Sequence, residues 1–203
     1  MVTTEAFAEL QMIAVAVTYF SGYGHTARQA RAVFDGVQSI SGTQARQIVI
    51  GEEGMIEAGA WDVLQEADAI IFGSPTYMGG VPWQFKRFAD ATSKVWASQG
   101  WRDKFAAGFT NSGSMNGDKH STLGYLFTLS MQHAMIWVGS GLAPANRKAS
   151  LRDEVNYLGA FAGAMAQSPA DASPEEAPGA GDLTTARLFG ERVARAASRW
   201  HGP

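Results

Sequence analysis

The chain of 203 residues contains no cysteine, which removes disulfides, thiolate nucleophiles and cysteine-ligated zinc or iron–sulfur centres. Charge is sparse too. Sixteen Lys and Arg against 19 Asp and Glu leave a formal net charge of −3, and basic residues never cluster beyond pairs. The electrostatic footprint of a nucleic-acid binder is missing, so no nucleic-acid partner is expected. No stretch approaches the roughly 18 apolar residues needed to cross a bilayer. The start, MVTTEAFAELQ, carries acid where a secretory leader carries base. A cytoplasmic protein without a membrane span is expected, with residues 1–11 as an N-terminal extension. The sequence has no internal repeat, and its length suits one domain over 1–203 that buries about 70 % of its extended surface.

What is present is organised around residues 12–26, MIAVAVTYFSGYGHT. The run Ile13–Phe20 has too many consecutive apolar positions for a half-exposed strand, which predicts a central strand covered on both faces. The loop Ser21-Gly22-Tyr23-Gly24-His25-Thr26 then offers hydroxyl donors, two glycines and a run of free amides at a helix start. Such a loop suits a phosphate. Neither the Walker pattern nor the three-glycine dinucleotide fingerprint is present, and the loop has no lysine or arginine, leaving neutral donors and the helix dipole to hold the anion. Glycines placed for tight βα packing alone are the competing reading.

Downstream, Ala27, Ala30, Val33, Phe34, Val37 and Ile40 recur at helical spacing, with Arg28, Gln29, Arg31, Asp35 and Gln38 on the other side. A more polar second strand is expected over Gln44–Ile50, a short helix over 56–66 and a third strand over Asp68–Gly73. This βαβαβ order dictates a parallel sheet with helices on both faces. The expectation is an α/β doubly wound sandwich with five parallel strands in the order 2-1-3-4-5. In that order the turn after the third strand, Ser74-Pro75-Thr76-Tyr77-Met78-Gly79-Gly80, faces the same crevice as the first loop.

Pro82 opens a helix whose stripe of Phe85, Phe88, Ala89 and Thr92 continues toward Val95 and Trp96. The segment WASQGWRD holds Trp96 and Trp101, readable as core lids, as covers for a flat ligand or as a subunit contact. A fourth strand, Lys104–Thr110, leads into Asn111-Ser112-Gly113-Ser114-Met115-Asn116-Gly117-Asp118, small donors and glycines suited to a planar polar ring edge. Helix 119–133 is expected to turn Leu123, Leu126, Phe127 and Ser130 inward and to bring His133 to the crevice lip, before a fifth strand over Ala134–Val138. His133 reads either as a helix-end cap or as a catalytic group. The small-residue stretch NYLGAFAGAM (156–165) is expected under the crevice or against a neighbour. Residues 168–182, rich in Pro, Ala, Gly and acid, read as an exposed loop. Asp182 then caps a last helix that buries Leu183, Ala186, Phe189, Val193, Ala196, Ala197 and Trp200.

Together, SGYGHT, SPTYMGG, WASQGW and TNSGSMNG resemble the flavodoxin-like NAD(P)H:quinone oxidoreductases, in particular the WrbA-type branch, once called tryptophan-repressor-binding proteins. The resemblance covers residues 12–140 and the last helix. It implies one FMN per subunit, NADH or NADPH as co-substrate, a quinone as acceptor, and a homotetramer or homodimer with sites between subunits. By position it assigns Ser21, Gly22, Tyr23, Gly24, His25 and Thr26 to the flavin phosphate. Pro75, Thr76, Tyr77, Met78, Gly79 and Gly80 fall to the ribityl chain and one ring edge; Ser112, Gly113, Ser114, Asn116 and Gly117 fall to the pyrimidine side. Trp96 matches the tryptophan that closes a neighbour's pocket, and His133 the histidine near the reactive face, able to give a hydrogen bond or proton to the quinone. Where the family commonly has Thr-Arg-Phe-Gly-Asn, this chain has Thr76-Tyr77-Met78-Gly79-Gly80. The implied activity is two-electron quinone reduction in alternating half-reactions. A one-electron carrier, or a flavin-binding regulator without turnover, are the alternatives.

Overall fold

A computed structural model describes residues 12–200, so the extension expected over residues 1–11 lies outside the described residues. The first strand, β1 (Ile13–Tyr19), is covered on both faces. Alternation along it sends Val15, Val17 and Tyr19 into one apolar cluster and Ala16 and the following Phe20 into another. Helix α1 (His25–Gln38) and strand β2 (Thr43–Val49) follow, then α2 (Ala60–Glu66) and the fully buried β3 (Ala69–Pro75). Two short helices, α3 (Trp83–Ala91) and α4 (Ser93–Ala97), precede β4 (Phe105–Ser112), again buried throughout. Then come α5 (Lys119–Gln132), β5 (Ile136–Trp137), β6 (Ala164–Gln167) and the long α6 (Ala180–Trp200).

All strand pairs are parallel and the order is 2-1-3-4-5, as the βαβ alternation requires. Helices α1 and α6 cover one face, and Leu64, Phe85, Phe88, Leu123 and Leu126 from α2, α3 and α5 cover the other. The count of strands differs from the expected five. Only Ile136–Trp137 of the expected fifth strand pairs with β4, at Phe105–Ala106. The chain then leaves the sheet and returns as β6 against Phe109–Ser112, so two short strands share the fifth position. The segment AMAQ has no β-branched residue and gains its strand geometry from β4 alone.

Other differences have local causes. Gln29, assigned to the outer face of α1, is fully buried, its amide 3.5 Å from the Ala164 oxygen. Phe127 and Trp200, expected inside, are 43% and 62% exposed and touch Trp137 and Phe105 edge-on. Helix α6 starts at Ala180, so Asp182 lies in its first turn and is no cap. Buried Asp182 instead accepts both forks of Arg152, at 2.8 and 2.6 Å, and the Gln167 amide at 2.8 Å. In the 156–165 stretch, Asn156 is buried and pins the excursion: its amide N–H donates to Thr185 Oγ1 and its side chain to the Leu142 and Ala160 oxygens. No helix among the described residues is long and apolar enough to cross a membrane.

Candidate functional site

The turn between β1 and α1 lies at the carboxyl end of the central strand. Gly24 precedes α1 with φ of 88°, and an added Cβ there would stand 2.6 Å from Pro174 Cγ, so only glycine fits the conformation and the space. Ser21 Oγ accepts the Ala27 amide at 3.1 Å and closes the turn. The Gly22 backbone amide bonds to the Tyr77 hydroxyl, while the amides of Tyr23, Gly24, His25 and Thr26 donate to no described group. They sit at the positive end of a 14-residue helix. Backbone amides at a helix start, without a basic side chain, are the kind of donor an anion takes.

Beside it, β3 ends at Pro75. Thr76 is fixed by its amide on the Asn111 oxygen at 2.8 Å and by its hydroxyl, which meets Thr110 Oγ1 at 2.8 Å and Thr122 Oγ1 at 2.7 Å. Tyr77 and Gly80 exchange backbone hydrogen bonds of 2.9 and 3.1 Å, making a tight turn with Met78 at its exposed tip. The Tyr77 ring packs edge-on to Tyr23, centroids 5.9 Å apart. Burial pushes the Tyr77 hydroxyl above its ordinary pKa, so it stays protonated and can donate.

Strand β4 delivers Asn111 and Ser112 to the same place. The segment after β6 closes the ring, although its composition reads as an exposed loop. Ser168 donates its hydroxyl to Asn111 Oδ1 at 3.0 Å and its amide to the Ser112 oxygen at 3.0 Å. His25 Nε2 is 2.9 Å from the Ala172 oxygen, which can only accept, so that nitrogen carries the proton. Arg28 donates to the Pro174 oxygen at 2.6 Å. Ser168, Pro169, Ala170, Ala172 and Pro174 thereby form one wall of a cleft of about 550 Å³. The residues expected over 168–182 are thus only partly exposed, with Ser168, Ala177 and Pro178 buried. The usable signal was position: a segment leaving a strand at the carboxyl edge of the sheet must pass the crevice.

Among the expected site residues, the cleft gathers Tyr23, His25, Thr26, Pro75, Thr76, Tyr77, Ser112 and Gly113. Ser21, Gly22 and Met78 line an adjoining cleft, and Tyr23 and Tyr77 border both. Gly24 backs onto Pro174, Gly79 and Gly80 belong to the 77–80 turn, and Ser114, Asn116 and Gly117 form the exposed loop that follows Gly113. Two residues are not brought there within one chain. His133 is 2 % exposed, bonded through Nε2 to Thr92 Oγ1 at 2.8 Å and packed 4.5 Å from the Trp101 ring. The reason is direction: α5 runs back along the sheet, so its end lies beside the start of β4 and not at the lip. Trp96 on α4 is 48% exposed and lines neither cleft, while Trp101 is core. No group of His, Asp and Glu among the described residues could hold a metal.

A doubly wound parallel sheet of order 2-1-3-4-5 with a cleft at its switch point defines a flavodoxin-like fold. The family described as NADPH-dependent FMN reductase matches residues 60–149. A flavodoxin, FldP, of Pseudomonas aeruginosa (strain UCBPP-PA14) is 52% identical over 185 residues, 91% of this chain and 97% of the relative. An NAD(P)H dehydrogenase (quinone) of Geobacter sulfurreducens is 32% identical over 206 residues, 93% of this chain and 99% of the relative. The solved flavodoxin, a WrbA-like protein from Agrobacterium tumefaciens, is 45% identical with TM-score 0.72, covering 91% of this chain and 97% of that one. The chain belongs to the WrbA-type branch of the flavodoxin-like NAD(P)H:quinone oxidoreductases.

Proposed function

We propose that the protein is an FMN-dependent oxidoreductase that moves two electrons as hydride from NADH or NADPH to a quinone. The observation that carries this is the convergence of four chain segments on one cleft whose inner end is a helix N-terminus with free amides and no free cationic side chain. A cleft of about 550 Å³ falls in the range of cofactor sites, so the residues present fit FMN. Tyr23 to Thr26 would hold the phosphate through backbone N–H groups. Tyr77 would flank the ring, and Ser112 to Gly117 would meet its polar rim. Bound FMN supplies reversible two-electron chemistry. The chain's own part is to keep the ring oriented and one face open for flat partners in turn. Tyr23 and Met78, 74% and 105% exposed, give that mouth an apolar edge. Trp96, exposed and outside the lining of its own cleft, would cover the cleft of a second copy in a homo-oligomer.

The test is steady-state oxidation of NADH and of NADPH by the FMN-loaded protein with a benzoquinone, varying both substrates. Parallel double-reciprocal lines are expected, because nicotinamide and quinone would use one place in succession. Intersecting lines would overturn shared occupancy. The 52% identity to a protein named a flavodoxin favours the carrier as second reading. It would prevail if neither nicotinamide were oxidised while chemical reduction proceeded in two separate one-electron steps.

A further inference from the structure

Lys119, first residue of α5, is completely buried. Its ammonium donates to the backbone oxygens of Ser114 at 2.5 Å, Met115 at 2.9 Å and Asn116 at 3.3 Å. No carboxylate among the described residues forms an ion pair with it. Asp182 attracts it at longer range but is itself taken up by Arg152. Burial lowers its pKa to about 8, which still leaves it a cation at neutral pH. A buried cation without a carboxylate partner is unfavourable unless hydrogen bonds or nearby negative charge offset the lost hydration.

The three carbonyls have a geometric consequence. A trans peptide plane points its N–H opposite to its C=O. Carbonyls 114, 115 and 116 turned toward Nζ therefore turn the N–H groups of Met115, Asn116 and Gly117 away from it. None of those amides donates to a described group. Gly117, with φ of 53°, folds the loop so tightly that a Cβ there would stand 2.2 Å from Ser112 Oγ. The result is a row of outward donors beside the cleft, backed by a positive charge.

We propose that Lys119 is a positioning residue for the polar rim of the bound flavin: it clamps the 114–116 carbonyls so that the Met115, Asn116 and Gly117 amides meet the rim acceptors, and its charge favours the reduced ring. This rests on the FMN reading of the cleft. Hydride from the nicotinamide brings two electrons and one proton to a neutral ring, leaving oxidised nicotinamide and a flavin with one added negative charge. Lys119 transfers nothing; it stabilises that charge electrostatically.

The test compares full-length wild type, Lys119→Gln and Lys119→Arg, each FMN-loaded, for two-electron midpoint potential, together with FMN and riboflavin affinity by fluorescence quenching. Lys119→Gln keeps donors for the carbonyls but drops the charge. It is expected to hold oxidised FMN within about threefold and reduced FMN about tenfold more weakly, a potential lower by about 30 mV. Lys119→Arg is expected to restore the wild-type potential. Both variants should change FMN and riboflavin affinity by the same factor, because the effect lies at the ring. A folded Lys119→Gln with wild-type potential, or a loss confined to FMN, would overturn the proposal. Should the variants not fold, amide NMR of the wild type decides: riboflavin must shift Met115, Asn116 and Gly117, and unshifted signals in a riboflavin-bound protein would refute the assignment. A wild type that binds neither flavin would instead overturn the FMN reading, and this proposal with it.

Discussion

Gly36 of α1 and Gly190 of α6 sit in one seam where the two helix backbones touch: a Cβ on Gly36 would fall 1.9 Å from the Arg187 oxygen, and one on Gly190 would fall 2.1 Å from the Val33 oxygen. The contact matters for the site because α1 carries a cleft-lining turn at its start and α6 is what seats it. Gly190→Ala forces the helices apart, an overpacking cost of about 2 kcal/mol. For a chain of this size that lowers Tm by roughly 4–8 °C. Thermal unfolding followed by circular dichroism checks it, and an unchanged Tm would mean that the helices do not meet at these glycines.

Arg28 ties the 168–174 segment to α1 through the Pro174 oxygen, and His25 does so through Ala172. A hydrogen bond from a charged donor is worth about 1.5–3 kcal/mol. Arg28→Ala is therefore expected to loosen the cleft wall and speed FMN release about tenfold or more. Stopped-flow fluorescence of flavin release measures this. A wild-type release rate would show that the wall does not retain the cofactor.

The sheet order and the three crevice turns were legible because long apolar runs such as Ile13–Phe20 and Ala69–Phe72 alternate with helical periods, and a parallel sheet buries such runs on both faces. What escaped was structure made by contact. Residues 164–167 carry no strand propensity and pair because β4 offers a free edge. The 168–174 wall has no period and is held by backbone oxygens, which composition does not report. Lys119 escaped because a charged residue beside a polar loop reads as solvated, while its long apolar stem lets the ammonium reach inward carbonyls. His133 differs from its expected place because the end of α5 reaches the edge of the sheet beside the start of β4, opposite the edge that carries the cleft.

His133 gives a pH prediction. Thr92 gives its own hydroxyl proton to the Ala89 oxygen at 2.6 Å, so His133 Nε2 must be the donor in their 2.8 Å contact. Nδ1 is left buried without a partner, and burial lowers the imidazole pKa below 6.5. The unfolded chain then binds the proton more readily than the folded one. Stability is full above pH 6.5 and falls as pH drops through the folded pKa. Urea midpoints should be flat above about pH 7 and decline below it, and His133→Phe should flatten that acid limb. An unaltered limb in the variant would assign the acid loss to other groups.

Trp96 and Trp101 lie five residues apart, and the chain treats them oppositely. Trp101 is fully buried against Phe72 and His133, while Trp96 leaves about half its surface to solvent. A large ring held exposed on a five-residue helix, outside both clefts of its own chain, adds no core packing there that would account for it. If it covers a neighbour's flavin, assembly and catalysis must be coupled. Sedimentation at micromolar concentration should then show a dimer or tetramer. Trp96→Ala should lower quinone kcat/KM about tenfold, roughly the loss of one aromatic contact at a desolvated interface, while Tm stays within about 2 °C because little core packing is removed. Mixing Trp96→Ala with a cleft-disabled Gly24→Val chain gives the decisive arm. In a site shared between copies, hetero-oligomers restore part of the activity by pairing an intact indole with an intact cleft. A monomer on sedimentation, or no restoration on mixing, would leave Trp96 without a role in the neighbouring site.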